Sequence, residues 1–422
     1  MRICFITHCV HPTAGGSTKY FYEITQRLKK QGNQIYLVCT EGSCSTDINV
    51  DGLIFVKKIT LPYFKGIFGN FFQKFFVTYI LTTMLFGLFA FLKIKRRNFD
   101  IYCFESGYMG FWILAFKLFR KRPLVSFSMR YGWRMFLYSI KNKYKKTNFD
   151  FILYLIWELI FFINEFIDVH FSDRVIVLNK EAKEIWIDSA VNPNKIYVVP
   201  YGIDLSKYFP TEKNSKLCEK YELRKGEKVI LYLGHLQPLR YVDKLLKAFS
   251  FLTKLDVKLL IIGSGPVKEK LEQLAIDLNI ADQVKFIPHI HEERILNTFI
   301  NLADIMVIPH PPGTVVLLGA ACGLPVITIK NDKKLLGAID EKLLSHFILL
   351  ESNKPFLIAK ACYELLENEK KRFSKSQELL EIIKNYSWDS VSKILFERLQ
   401  TTYITYYKYR NVSSNELKEN VG

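Results

Sequence analysis

What is missing narrows the chemistry first. No two of the eight cysteines (Cys4, Cys9, Cys39, Cys44, Cys103, Cys218, Cys322 and Cys362) form a CxxC pair, and several lie in apolar runs. That reads as buried thiols in a reduced compartment. The chain has no GxSxG, HExxH or Walker loop, which sets aside the chemistries those motifs carry. His289 and His291 have no acidic or thiol ligand at helpful spacing, so no metal site is expected. No RNP-like or helix-turn-helix pattern is present, so nucleic acid is not an expected partner. The opening run Arg2–Thr7 reads as a strand and lacks a signal-peptide cleavage pattern.

Acid is also scarce. Lys+Arg number 59 against 41 Asp+Glu, a formal net charge of +18. Such an excess favours anionic partners, phosphates or an acidic membrane surface among them. Aromatic residues reach 15%, with 34 Phe and 23 Tyr, which leans further toward a membrane surface. The 49% hydrophobic and 24% charged content excludes a disordered chain, a collagen-like fibre and a coiled coil. At 422 residues the default is two domains.

Short apolar runs alternate with longer helical patterns, the signature of βαβ units and parallel sheets. Arg2–Thr7, Gln34–Cys39, Leu53–Ile59, Ile101–Phe104, Leu124–Phe127 and Val175–Leu178 form one series of strands, with a helix from Ser17 to Gln31. A fresh series runs through Val229–Leu233, Lys258–Ile262, Val284–Ile287, Ile305–Ile308 and Pro325–Thr328. Pro200–Pro210, with two prolines and a glycine, reads as the linker between them. The expected domains are 1–205, 206–385 and a C-terminal helix over 386–410 that returns to the first. The uncharged stretch Phe75–Leu92, followed by Lys93-Ile-Lys-Arg-Arg97, reads first as a buried helix. Its alternative is a helix lying in an anionic membrane surface. A single span conflicts with a shared sheet. Phe149–Phe171, carrying Glu158, Asn164, Glu165 and Asp168, reads as an amphipathic helix for the same surface.

Glycine-bearing turns after strands give the candidate site. Gly15 and Gly16 let a backbone approach a ligand before the first helix. His235 and Arg240 follow the first strand of the second series, at the edge where open α/β sheets bind ligands. Arg240 suits a diphosphate. Gly263 marks the next turn, and Gly313-Thr314-Val315 opens an apolar helix to Cys322, with Thr314 as its expected cap. Three such loops at one sheet edge point to a phosphorylated ligand.

These residues resemble a known family. Val198-Val-Pro-Tyr-Gly-Ile-Asp204, Leu260-Ile-Ile-Gly-Ser-Gly-Pro266, Ala303-Asp304, Ala321-Cys-Gly-Leu-Pro-Val-Ile327 and Tyr386-Ser-Trp388 are similar to segments of the family 4, or group 1, glycosyltransferases with the GT-B fold. The match runs from Met1 to about Tyr407 and is more specific in the second half. The resemblance implies two Rossmann-like parallel-sheet domains facing a cleft, the first for an acceptor and the second for a nucleotide-sugar donor. It also implies retention of configuration and no metal or cofactor. A glycan or lipid-linked acceptor, polysaccharide biosynthesis, and a cytoplasmic place on the inner face of the membrane fit the basic, aromatic first half.

The chain departs from the pattern at several positions. The family's pair of donor-site glutamates corresponds to His310 and Leu318. Its arginine corresponds to His235 and its lysine to Arg240. A histidine after the Leu124–Phe127 strand is absent, and Arg130 is the nearest replacement beside Tyr131. The expected catalytic residues are therefore Arg130, Arg240 and His310. Gly15, Gly16, His235, Gly263, Gly313, Thr314 and Val315 are expected at the donor. Loss of both glutamates raises the alternative of a non-catalytic subunit partnering a membrane-associated transferase. A sugar-nucleotide epimerase is a further GT-B alternative, without a convincing acid and base set.

Overall fold

A computed structural model describes residues 1–12, 16–45, 47–57, 81–94, 96–129, 149–330 and 339–419. The chain forms two compact units, one of Met1–Val199 with Val391–Gly422 and one of Pro200–Ser390.

The first unit is built on seven parallel strands, β1 (Arg2–Ile6), β2 (Gln34–Thr40), β3 (Gly52–Val56), β4 (Ile101–Glu105), β5 (Leu124–Ser128), β6 (Arg174–Val177) and β7 (Ile196–Val198). Their order is β3-β2-β1-β4-β5-β6-β7. Strands buried on both faces need near-continuous apolar runs, and β1, β4 and β5 supply them. Connections leave β1 on one side toward β2 and on the other toward β4, so the crevice at their carboxyl ends is a switch point.

Helices α1 (Ser17–Lys30), α2 (Leu81–Ile94), α3 (Trp112–Arg120), α4 (Phe149–Phe171) and α5 (Lys180–Asp188) connect the strands. Phe86, Ala90 and Ile94 of α2 are fully buried with Ile113 and Phe116 of α3 against the sheet. The described part of Phe75–Leu92 is therefore a core helix. Residues 75–80 lie outside the described residues. Among the described residues no helix is long and apolar enough to cross a membrane.

The second unit has β8 (Lys228–Leu233), β9 (Val257–Ile262), β10 (Val284–Ile287), β11 (Ile305–Ile308), β12 (Val326–Ile329) and β13 (Ile348–Leu350). The order β10-β9-β8-β11-β12-β13 is again parallel, with its switch point between β8 and β11. Its helices are α6 (Ser215–Lys220), α7 (Val242–Phe249), α8 (Lys268–Asp277), α9 (Glu293–Ile300), α10 (Val316–Ala321), α11 (Glu341–Leu344), α12 (Pro355–Glu367) and α13 (Glu369–Ile382). The last helix, α14 (Trp388–Glu419), starts in this unit and continues into the first.

Pro200–Pro210 is packed rather than loose. Tyr201, Ile203 and Tyr208 are buried. The Tyr201 ring lies 5.0 Å from that of Trp388, and the Trp388 amide donates to the Ile203 carbonyl at 2.9 Å. A Cβ on Gly202 would fall 2.4 Å from the Trp388 ring. Only glycine lets the indole close over this segment.

Candidate active site

The second unit assembles its loops at the β8–β11 switch point. Gly234, at φ +153°, leaves β8, and Gly263, at φ +157°, leaves β9. A Cβ on Gly263 would stand 1.9 Å from the Gly234 carbonyl oxygen, and one on Gly265 would stand 2.2 Å from that of Leu236. The two turns pack backbone to backbone, which any side chain would forbid. The Leu236 amide donates to the Ser264 carbonyl at 3.0 Å and the Gly263 amide to Ile287 at 2.9 Å, locking the loops together.

Arg240 closes a short turn after β8 and lies half-buried. Its Nη1 is 3.4 Å from both ring nitrogens of His310, just after β11. The His310 Nδ1 is 2.7 Å from the Pro311 carbonyl. That contact assigns the ring proton to Nδ1, and the equal distances to both nitrogens set the guanidinium over the ring face. The Thr328 hydroxyl donates to the His310 carbonyl at 2.9 Å and holds the backbone. Burial, then the Arg240 cation, push the His310 pKa down to about 4 against the Pro311 bond. His310 is therefore a neutral ring beside a cation at pH 7. It is 4% exposed, which suits positioning of Arg240 better than proton transfer to a ligand.

Gly313, Thr314 and Val315 are half-buried next to this pair in the sequence. The Val316 amide donates to Gly313 at 3.3 Å and the Leu317 amide to Thr314 at 3.1 Å. Among the described residues no acceptor takes the Thr314 or Val315 amide. The expected Thr314 cap is corrected here: α10 begins at Val316, and its capping residue is Val315 with no side-chain bond. Val315 is already in the αR conformation, whereas a side-chain cap needs extended backbone. Leu318 sits half-buried on α10.

Sequence reasoning set His289 and His291 aside as metal ligands and missed that they join His235. The His235 and His289 rings are nearly parallel, 6.5 Å apart, and His291 meets His289 edge-on at 4.5 Å. Burial and the neighbouring imidazoles lower the His289 pKa. The three residues come from two separate loops, after β8 and after β10, so spacing along the chain could not reveal them. The three rings are exposed and cluster at the same sheet edge.

In the first unit, Gly16 leads into α1 at φ +65°, and α1 has no side-chain cap. Gly15 and Arg130 lie outside the described residues. At the β1–β4 switch point the Thr7 hydroxyl donates to buried Glu105 at 2.7 Å. The His8 ring stacks on Tyr108 at 5.4 Å. Ser128, at the end of β5, donates to Glu165 at 2.7 Å and receives the Trp186 indole N–H at 2.9 Å. Glu165 also accepts from Ser106 at 3.3 Å. Asp168 Oδ2 accepts the Gly107 and Met109 amides at 2.8 and 3.2 Å. Burial raises the Asp168 pKa well above the carboxylate range, more than these amides lower it. Ser128 is thus tied into a buried network.

Comparison with known proteins agrees with this architecture. The family model for group 1 glycosyl transferases matches residues 214–379, and that for Glycosyltransferase Family 4 matches residues 14–207. A D-inositol 3-phosphate glycosyltransferase of Mycobacteroides abscessus is 31% identical over 234 residues, 53% of this chain and 51% of the relative. Its counterpart in Rhodococcus opacus is 26% identical over 250 residues, 56% of this chain and 54% of the relative. The chain thus spans about half the length of the curated relatives it matches. Sucrose-phosphate synthase from Thermosynechococcus elongatus superposes with a TM-score of 0.70 at 16% identity, covering 96% of this chain and all of that one (100%). Anabaena HepE in complex with UDP gives 0.66 at 14% identity, covering 95% and 100%. At such identity the likeness shows the fold, which is GT-B. The two family models fall on the two sheet-bearing parts of one chain, and the chain belongs to the family 4, or group 1, glycosyltransferases.

Proposed function

We propose that this chain transfers a sugar from a nucleotide-sugar donor to a glycan or lipid-linked acceptor, with retention of configuration. The observation that carries this reading is Arg240 held against neutral His310 at a glycine-lined sheet edge. A guanidinium there pairs with a diphosphate in bidentate fashion. The Thr314 and Val315 amides add donors on the same edge, and the exposed His235, His289 and His291 rings beside them offer contacts to the base. In the transfer, the bond from the anomeric carbon to the diphosphate breaks and a bond to the acceptor oxygen forms on the same face. The acceptor proton passes to the departing phosphate oxygen, and the nucleoside diphosphate leaves. Arg240 stabilises the charge that develops on that oxygen. No metal or cofactor is assigned a role in this scheme.

We place the acceptor at an anionic membrane, on its inner face, because of the +18 charge and the aromatic content. The relatives' names specify inositol 3-phosphate glycosyl transfer, and structures of one neighbour, Anabaena HepE, hold UDP or UDP-glucose. These support the class of reaction.

The alternative is a subunit that binds donor and transfers nothing. Leu318 on α10 and buried His310 favour it, since neither side chain is a carboxylate that a ribose or sugar hydroxyl would pair with. Incubation with a nucleotide-sugar and a membrane extract separates the two. Release of nucleoside diphosphate with labelled glycan or lipid supports transfer. Saturable donor binding without product supports the subunit.

A further inference from the structure

Helix α4 is inside out. From Ile156 to Phe171, the exposed side chains among those described are Ile156, Leu159, Ile163, Phe166 and Phe171. The polar residues Glu158, Asn164, Glu165 and Asp168 are buried. Steps of three and four residues put Ile156, Leu159, Ile163 and Phe166 on one stripe. A helix that faces water shows the reverse pattern. Two of the inward carboxyl groups are held from other elements: Glu165 takes the Ser106 and Ser128 hydroxyls, and Asp168 Oδ2 takes two amides of the β4–α3 loop, while its Oδ1 is buried without a partner. The outward stripe keeps over a third of each side chain exposed, the Phe166 ring being stacked on His170 at 3.8 Å.

The stripe does not stand alone. On α3, Leu118 is 71% exposed and Phe119 is 73% exposed. Lys117 Nζ donates to the Phe171 carbonyl at 3.0 Å, which ties the ends of α3 and α4 together. The Phe119 ring lies 5.9 Å from Phe91 of α2, beside exposed Leu92. The other exposed side chains of α2 and α3 include Lys93 and Lys117, and Lys121 follows α3. Among the described side chains of α2, α3 and α4, no exposed one is a carboxylate.

We propose that this face, the outward side of α4 and α3 with the neighbouring end of α2, seats the first unit on an anionic lipid bilayer. The inference rests on the membrane-side reading above and assigns the surface that carries it out. Large apolar side chains enter the boundary between headgroups and acyl chains, while the lysines meet lipid phosphates. A second copy of this chain is a poorer occupant, since it would set lysines against lysines on a chain of net charge +18.

The test is flotation of the full chain with phosphatidylcholine vesicles, with and without phosphatidylglycerol. Two variants are compared with the parent: Leu159→Gln with Ile163→Gln and Phe166→Gln, and Leu118→Gln with Phe119→Gln. All five side chains are exposed, so circular dichroism and nucleotide-sugar binding should match the parent. The parent should float only with phosphatidylglycerol present, and each variant should lose about tenfold or more in partitioning. If the parent floats and both variants float equally well, this face is not the seat while the membrane reading stands. If the parent ignores both vesicle types, the reading and the face fall together. A parent dimer that the variants dissolve, without flotation, would give the face to a second copy and overturn the proposal.

Discussion

Lowering the pH should loosen the second unit through one imidazole. His310 has a folded pKa of about 4, depressed by burial and by Arg240, against about 6.5 in an unfolded chain. The unfolded state therefore binds the extra proton first. Stability contributed by the neutral ring is complete above about pH 6.5 and is lost as the pH falls toward the folded value. Linkage puts the loss at about 2 kcal/mol by pH 5 and about 3 kcal/mol by pH 4. Other groups also titrate there, and Asp168, with its raised pKa, works in the opposite sense in the first unit. Comparison with His310→Asn subtracts them, because asparagine has no proton to gain. The assay is urea unfolding between pH 7 and pH 4, followed by hydrogen exchange of peptides from β11 and β12. The parent should lose about 2 kcal/mol more than the variant between pH 7 and pH 5. Parallel curves would show that His310 does not sit as a neutral ring against Arg240.

Three further outcomes are expected. Gly263→Ala should destabilise the second unit by several kcal/mol, about 2–4, because the new Cβ would meet the Gly234 carbonyl; an unchanged urea midpoint would contradict the backbone packing of the two turns. Asp168→Ala should cost about 2–3 kcal/mol by leaving the Gly107 and Met109 amides unpaired, and Asp168→Asn should cost less, since its amide oxygen can take the same two donors; equal losses in thermal melts would show that these two bonds do not hold the β4–α3 loop. Trp388→Ala should cost about 3–5 kcal/mol by opening a cavity over Tyr201 and Gly202, and a smaller loss in urea would mean that the Pro200–Pro210 segment holds without the indole.

The two parallel sheets were legible because their central strands are near-continuous apolar runs bounded by turns. Strands β7 and β13 were not, since each has three residues and lies at a sheet edge, only half-buried for the most part. Periodicity marked Phe149–Phe171 as amphipathic but could not say which side faces inward. That choice is made by the Gly107 and Met109 amides and the Ser106 and Ser128 hydroxyls, which come from other strands and loops. The three glycine turns of the second unit were visible as spacing. The contact of Arg240 with His310, and of His235 with His289, depends on β8 lying between β9 and β11, which no local pattern encodes. Thr314 read as a cap from its residue type, and the backbone at Val315 removed that role.

The most direct test of the donor site is calorimetric titration of the full chain with a panel of nucleotide-sugars and bare nucleoside diphosphates, repeated with Arg240→Ala. One nucleotide family should bind saturably. Its affinity should fall by about tenfold to a hundredfold in the variant, the worth of a charge-assisted contact. Folded protein that binds no member of the panel, or binds one equally well without the guanidinium, would contradict the assignment of Arg240 to the diphosphate.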